Sequence, residues 1–307
     1  MIENKNKVIV IVGPTASGKS TLGINLARKL NGEIISADSM QIYKNLNIGT
    51  AKVTNDEMQG INHHLLDFID VTDIYSVADF KRDCYKKIDS ILSLGKVPII
   101  VGGTGLYVNA VVNNLEFVNE NDEESRLFIK QYEDKSLEEL ASILKSKSLE
   151  LYNSVDIKNR RRVERALLKA ISNTKDTTSL WNYNGSKYDF LVFYIDIPRD
   201  LLYDRINLRI DQMIKHGILE EAKYLCDNIL NVSSTAVQAI GYKEFFPYFF
   251  AQATLEECIE NLKTATRRYA KRQITWFKKL EPKIYLDGTS NINDMCKIIL
   301  GEYNGKK

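Results

Sequence analysis

The chain has 307 residues and a formal net charge of +2, with 44% hydrophobic and 27% charged residues. That balance excludes wholesale disorder and a coiled coil, and on charge alone it predicts no polyanion partner. The length exceeds one average domain, so a large domain or a core carrying an insertion is expected.

The opening segment is charged and is followed by only five apolar residues, Val8 to Val12, too few for a signal-peptide core or a membrane span. A cytoplasmic protein without a membrane partner is therefore expected, and nothing in the sequence demands more than a monomer. Lys7 to Val12 reads KVIVIV, a β-branched run without alternation that predicts a central strand of a parallel sheet, buried on both faces. Gly13 to Ser20 follows as GPTASGKS, and Leu22, Leu26 and Leu30 then recur at helical spacing, giving the order strand, glycine loop, helix.

Further strands are predicted at Glu33 to Ala37, Val97 to Val101, Phe190 to Ile195 and Lys283 to Leu286. Val77, Phe80, Cys84, Ile88 and Ile91 or Leu92 fall on one helical face that Gly95 and Pro98 terminate. Strands alternating with helices indicate an α/β fold, a P-loop parallel sheet flanked by helices. From Leu115 to Gly185 the sequence becomes charged, poor in strand formers and compatible with helix, with Leu137, Leu140, Ala141 and Leu144 on a stripe. We therefore expect a core of residues 1–114 and 186–307 and an inserted all-helical domain at 115–185. After Pro198 the chain is again helical, with a long stretch around Leu255 to Leu280.

The pattern G-x-x-x-x-G-K-[ST] is met by Gly13, Gly18, Lys19 and Ser20. Its glycines let backbone N–H groups and a helix N-terminus face an anion, Lys19 adds a point charge, and the Ser20 hydroxyl can bind Mg²⁺. Gly13, Pro14, Thr15, Ala16, Ser17, Gly18, Lys19 and Ser20 are thus the candidate diphosphate cradle. The loop alone does not choose between ATP, GTP and another diphosphate ester, so nucleotide or ATP binding stays open. Asp196, at the end of FLVFYID, is the nearest acid to a Walker-B position, and a turn-capping carboxylate is an equal reading of it.

Ligands of doubly wound sheets sit at the carboxyl ends of strands, and two further strand ends carry reactive groups. Asp38-Ser39-Met40-Gln41 offers a carboxylate that could act as general base or simply cap a helix. Gly102-Gly103-Thr104-Gly105 offers close backbone approach and the Thr104 hydroxyl, or merely a tight turn. His63, His64 and Asp67 could suggest a metal, but neighbouring residues point apart and no third partner stands out, so a structural role is expected. Cys84, Cys226, Cys258 and Cys296 are dispersed without a C-x-x-C pair, which argues for buried thiols over zinc or disulfides.

Two basic clusters remain. Lys158 to Lys169 reads KNRRRVERALLK, and the C-terminal helical stretch carries Lys263, Arg267, Arg268, Lys271 and Arg272 ahead of Trp276, Phe277, Lys278 and Lys279. Such runs are commonly solvated faces, yet cations beside aromatics also suit phosphate contacts and base stacking.

GPTASGKS, DSMQIY, Gly49-Thr50-Ala51-Lys52, His63-His64-Leu65-Leu66-Asp67, GGTGLY, RINLRIDQM from Arg205, QAIGYKE from Gln238 and YAKRQITWF from Tyr269 stand in one order over nearly the whole chain. This ordered set resembles the bacterial tRNA dimethylallyltransferases, the tRNA isopentenyltransferase (IPP transferase) family. The resemblance implies that the P-loop holds dimethylallyl diphosphate with Mg²⁺, and that the allyl group moves to N6 of the adenosine 3′ of the anticodon. It implies Asp38 as base, Lys19, Thr104 and Arg209 as further catalytic residues, and Arg205 as a second diphosphate ligand. For tRNA it implies contacts from Asp38, Ser39, Met40, Gln41, Thr104, Arg126, Asn159, Arg160, Arg161, Arg162 and Val163. It adds Gly241, Tyr242, Lys243, Lys271, Arg272, Trp276 and Lys278, with the target base flipped out of its stack.

Overall fold

The computed structural model describes residues 7–117, 127, 130–171 and 185–305. Six strands, β1 (Lys7–Val12), β2 (Gly32–Ser36), β3 (His63–His64), β4 (Val97–Gly102), β5 (Asp189–Asp196) and β6 (Ile284–Asp287), form one sheet. Their order is β3-β2-β4-β1-β5-β6, and all pairings are parallel. The helices of this layer system are α1 (Lys19–Leu30), α2 (Val77–Ser93) and α3 (Gly105–Val112), followed beyond the inserted segment by α7, α8, α9 and α10. The last four span Arg199–Lys215, Ile218–Asp227, Leu255–Phe277 and Ile292–Tyr303.

The sequence dictates this layering through β1. Val8, Val10 and Val12 enter one apolar cluster with Phe80, Cys84, Ile88, Ile206, Leu262 and Phe277. Ile9 and Ile11 enter the other, with Leu22, Leu26, Met295 and Ile299. A strand with helices on both faces has no polar side, which is why its sequence shows no alternation. Helix starts follow local chemistry: Ser76 with Asp79 and Thr254 with Glu257 form capping boxes at the N-termini of α2 and α9, satisfying backbone donors that the first turn leaves open.

β1 lies between β4 and β5, and the chain builds outward from it in both directions. The crevice outside its carboxyl end is therefore the topological switch point where open α/β sheets bind ligands. Val12 pairs in register with Gly102 of β4 and Tyr194 of β5, so the loops after β1 and β4 leave the sheet side by side.

By contact density the chain separates into two compact units, Met1–Val112 with Ser186–Lys307, and Asn113–Gly185. In the second unit, α4 (Leu137–Lys147), α5 (Leu149–Ser154) and α6 (Arg160–Ile171) enclose Leu140, Leu144, Leu151, Val163, Ala166 and Leu167.

The short edge strand β3 was not expected from the sequence. Its two histidines are held by side-chain chemistry. His64 Nε2 lies 2.6 Å from Glu33, Lys96 Nζ donates to the same carboxylate at 2.6 Å, and Asn62 donates at 2.9 Å. Burial opposes the charge on Glu33, but the bonds from Lys96, His64 and Asn62 outweigh it and hold the carboxyl at about 2. His63 Nδ1 sits 2.9 Å from Ile61 O and Asp67 pairs with Lys52 at 2.5 Å. All four cysteines are free and buried, and among the described residues no helix is long and apolar enough to cross a membrane.

Candidate active site

Three loops meet at the carboxyl edge of the sheet. In the first, Ala16 and Gly18 take left-handed φ values of 62° and 87°, a backbone alternation of the kind that forms anion-binding nests. Gly18 is the N-cap of α1 and provides no side-chain cap, so the open donors of the first helical turn are left for an anion. Ser17 Oγ is buried without a hydrogen-bond partner, an orphaned polar atom inside the cradle. Lys19 Nζ donates to Pro14 O at 3.0 Å. Protein packed around the ammonium lowers its pKa to about 8, with Asp38 opposing that drop and Arg209 adding to it. Lys19 therefore feels both a carboxylate and a guanidinium from other elements.

Those partners come from the loop after β2 and from α7. Asp38 is half-buried, and its Oδ1 accepts N–H bonds from Met40 at 2.9 Å and Gln41 at 3.4 Å. No helix begins at Asp38, so it caps none; its Oδ1 instead holds a turn. Among the described residues no hydrogen bond occupies Oδ2, which keeps its acceptor capacity. Arg209 is half-buried on α7; burial lowers its pKa and Glu57 partly restores it. Arg205 lies one turn earlier on the same face, also half-buried.

The third loop locks the second in place. Ala37 N donates to Val101 O at 2.9 Å and Thr104 N donates to Ala37 O at 3.1 Å. A Cβ on Gly102 would sit 2.2 Å from Ala37 O, so only glycine permits this approach. Thr104 Oγ1 accepts from Ser39 N at 2.9 Å and donates to Ser39 Oγ at 3.2 Å, which fixes the residue next to Asp38.

Sequence reasoning missed two residues of α9. Gln273, 5% exposed, accepts from Thr15 N at 2.8 Å and donates to Gly103 O at 2.9 Å. The hydroxyl of Tyr269 lies against Thr104 and Gln273, and burial with the nearby Asp38 charge raises its pKa. Both belong to YAKRQITWF, but only the buried face of a helix whose exposed face is basic reveals them.

The remaining expected residues separate by exposure. Lys271, Arg272, Lys278 and Lys243 are exposed, and Trp276, 40% exposed, packs its indole over Gly105. Asn159, Arg161 and Arg162 are exposed on the helical unit. Other side chains are already committed. Arg160 bonds to Glu164 and to the carbonyls of Lys135, Tyr132 and Glu133 at 2.6–3.1 Å, and Val163 is fully buried. Their side chains therefore help to hold the helical unit together. Gln41 spends its amide on Thr50 O and Ala51 O. Gly241 is buried, and Tyr242 is fully buried with its hydroxyl donating to Glu221 at 2.9 Å. Glu221 also accepts the N–H groups of Asn47, Ile48 and Gly49, so Tyr242 braces the loop after β2 from within. On α9, Lys263 pairs with Asp211 and Glu260, and Arg267 bonds to Asn207 and Thr264; these two cations dock α9 on α7. Arg126 lies outside the described residues. Asp196 is exposed at the end of β5, its carbonyl accepting from Gly288 N at 2.6 Å.

Among the described residues no three His, Cys, Asp or Glu side chains gather as a metal cage. The cradle instead offers the Ser20 hydroxyl beside an anion site, which suits Mg²⁺, a cation that keeps most of its water and takes substrate oxygens as ligands.

The sequence profile of the family described as IPP transferase matches residues 41–280. The chain belongs to the IPP transferase family. The family match begins after the P-loop and Asp38, but full-length relatives of this IPP transferase extend across both. The tRNA dimethylallyltransferase of Leuconostoc mesenteroides is 48% identical over 302 residues, covering 96% of this chain and 98% of that one. That of Streptococcus agalactiae is 43% identical over 305 residues, covering 99% of each. Among solved structures, the tRNA isopentenylpyrophosphate transferase of Bacillus halodurans matches with TM-score 0.73, 38% identity and 98% coverage of both chains. A eukaryotic dimethylallyltransferase acting on tRNA matches with TM-score 0.87 and 31% identity, covering 98% of this chain and 80% of that one. The chain is accordingly a transferase enzyme, built on a parallel six-stranded sheet flanked by helices.

Proposed function

We propose that the protein transfers the dimethylallyl group of dimethylallyl diphosphate to the exocyclic N6 of the adenosine 3′ of the anticodon in tRNA. The observation that carries this reading is Asp38, with an uncommitted carboxylate oxygen, placed within the electrostatic reach of Lys19 at the mouth of the P-loop. A nucleotide kinase needs metal-ligating acid at the end of a strand beside this loop, and Asp196 faces solvent there. Alkyl transfer needs something different: a base for the incoming amine and a site for a leaving diphosphate.

The residues supply both. As the N6 lone pair forms the bond to C1 of the allyl group and the C1–O bond breaks, Oδ2 of Asp38 takes the N6 proton. The electron pair of the broken bond stays on the diphosphate, where the P-loop N–H groups, Lys19, Arg209 and Arg205 stabilise charge as it develops. Ser20 would hold Mg²⁺, which when bound neutralises part of the diphosphate charge. Thr104 keeps Ser39, and through it Asp38, at the correct height above the cradle. The exposed Lys271, Arg272, Trp276 and Lys278, together with Lys243, form the surface for anticodon-loop phosphates and unstacked bases. Asn159, Arg161 and Arg162 offer a second set on the helical unit. We take the active form to be a cytoplasmic monomer.

The test is incubation with unmodified tRNA, Mg²⁺ and dimethylallyl diphosphate, followed by mass spectrometry of the nucleosides. An adenosine heavier by one C5 prenyl group at N6 is expected; unmodified adenosine with turnover of ATP in a parallel reaction would favour a kinase instead.

A further inference from the structure

Gln273 is one of the few buried polar side chains among the described residues. It lies on the buried face of α9 with Ala270 and Phe277, where an amide is costly unless every part of it is bonded. Here both ends are used, on two different loops. Oε1 accepts from Thr15 N in the P-loop at 2.8 Å, and Nε2 donates to Gly103 O after β4 at 2.9 Å. A peptide N–H can only donate and a carbonyl can only accept, so these partners fix the amide in one orientation.

Thr15 belongs to the loop that grips the diphosphate. Gly103 precedes Thr104, whose backbone N–H bonds to Ala37 O and whose hydroxyl receives Ser39 N–H. A continuous series of bonds thus runs from the cradle through Gln273, Gly103 and Thr104 to the residues either side of Asp38. Resting on the prenyl-transfer reading above, we propose that Gln273 is a positioning residue that sets the separation between the diphosphate cradle and the general base. It touches neither substrate; it fixes how far the carbon being attacked lies from the group that takes the proton.

The proposal predicts a split between turnover and binding. A misplacement of about 1 Å between reacting groups costs roughly 10²-fold in rate. Gln273→Met fills similar volume and makes neither bond, so kcat should fall on the order of 10²-fold while KM for dimethylallyl diphosphate and for tRNA changes far less. Gln273→Glu adds a readout that packing alone would not move. Its carboxylate can still accept from Thr15 N–H, and from the Tyr269 hydroxyl that lies against it and stays protonated because burial raises its pKa, but it can donate to Gly103 O only when itself protonated. Its kcat relative to the unaltered enzyme should therefore rise as pH falls, whereas the same ratio for Gln273→Met stays flat.

The full chain and both variants are assayed side by side, with thermal unfolding of each. Retention of full kcat by Gln273→Met overturns the assignment, as does loss of kcat and of both substrate affinities in step with lowered melting temperature, or a pH-independent ratio for Gln273→Glu. Absence of prenyl transfer by the unaltered chain in the same assay is a different failure, that of the prenyl-transfer reading, and the assignment falls with it.

Discussion

Because Oδ1 of Asp38 already holds the Met40 N–H, an amide at this position separates the turn-holding task from the proton-accepting one. Asp38→Asn keeps an acceptor for the loop but cannot take a proton, so transfer should fall roughly 10²–10⁴-fold with tRNA affinity little changed. Asp38→Ala should add a loss of loop stability of about 1 kcal/mol for the turn hydrogen bond, visible in denaturant unfolding. Parallel loss of rate and tRNA binding in the Asn variant would make Asp38 a binding residue. Lys19 gives a pH prediction. With a pKa lowered to about 8, it is charged below that pH and loses its proton above it. A diphosphate binds the protonated form better, so affinity is full below about pH 8 and declines above it. Log Kd for dimethylallyl diphosphate, measured by calorimetry, should rise with pH by up to about one per unit beyond pH 8; a flat profile across that range would remove Lys19 from the cradle.

At the scale of elements, the loop from Asp38 to Lys52 depends on side chains far away in sequence. Glu221 of α8 accepts three consecutive backbone N–H groups and the Tyr242 hydroxyl. Glu221→Ala leaves these donors without their acceptor, at about 1–3 kcal/mol for each buried group left unsatisfied. We expect a lower urea midpoint with unchanged slope, and a fall in kcat because the loop carries Asp38. Unchanged stability would mean that water replaces the carboxylate at no cost. None of this was legible beforehand, since a lone glutamate on an amphipathic helix carries no mark of its partner. The same limit hid Gln273 and Tyr269, and it let Lys263 and Arg267 read as part of a phosphate-binding stripe. Helical spacing places side chains on a face, but only the docking of α9 on α7 decides which cations remain free.

For the whole molecule, what the sequence made readable is what backbone physics controls locally. The β-branched run of β1, the glycines that follow β1 and β4, and the apolar stripe of α2 with the Gly95 that ends it each announce themselves within a few positions. Strand ends then place Asp38 and Thr104 near the P-loop without knowledge of any contact. What stayed hidden is long-range: β3, only two residues long, pairs with β2 where Glu33 gathers the bonds of His64, Lys96 and Asn62. The charge average misled in a similar way, because a net charge of +2 says nothing about the exposed cations at the end of α9. The central claim is that the P-loop holds a diphosphate that leaves intact. The most direct measurement is the inorganic diphosphate released per prenyl group gained by tRNA, in a reaction also containing ATP. The account predicts one diphosphate per transferred group and no ADP; release of ADP or orthophosphate in proportion to product would contradict it.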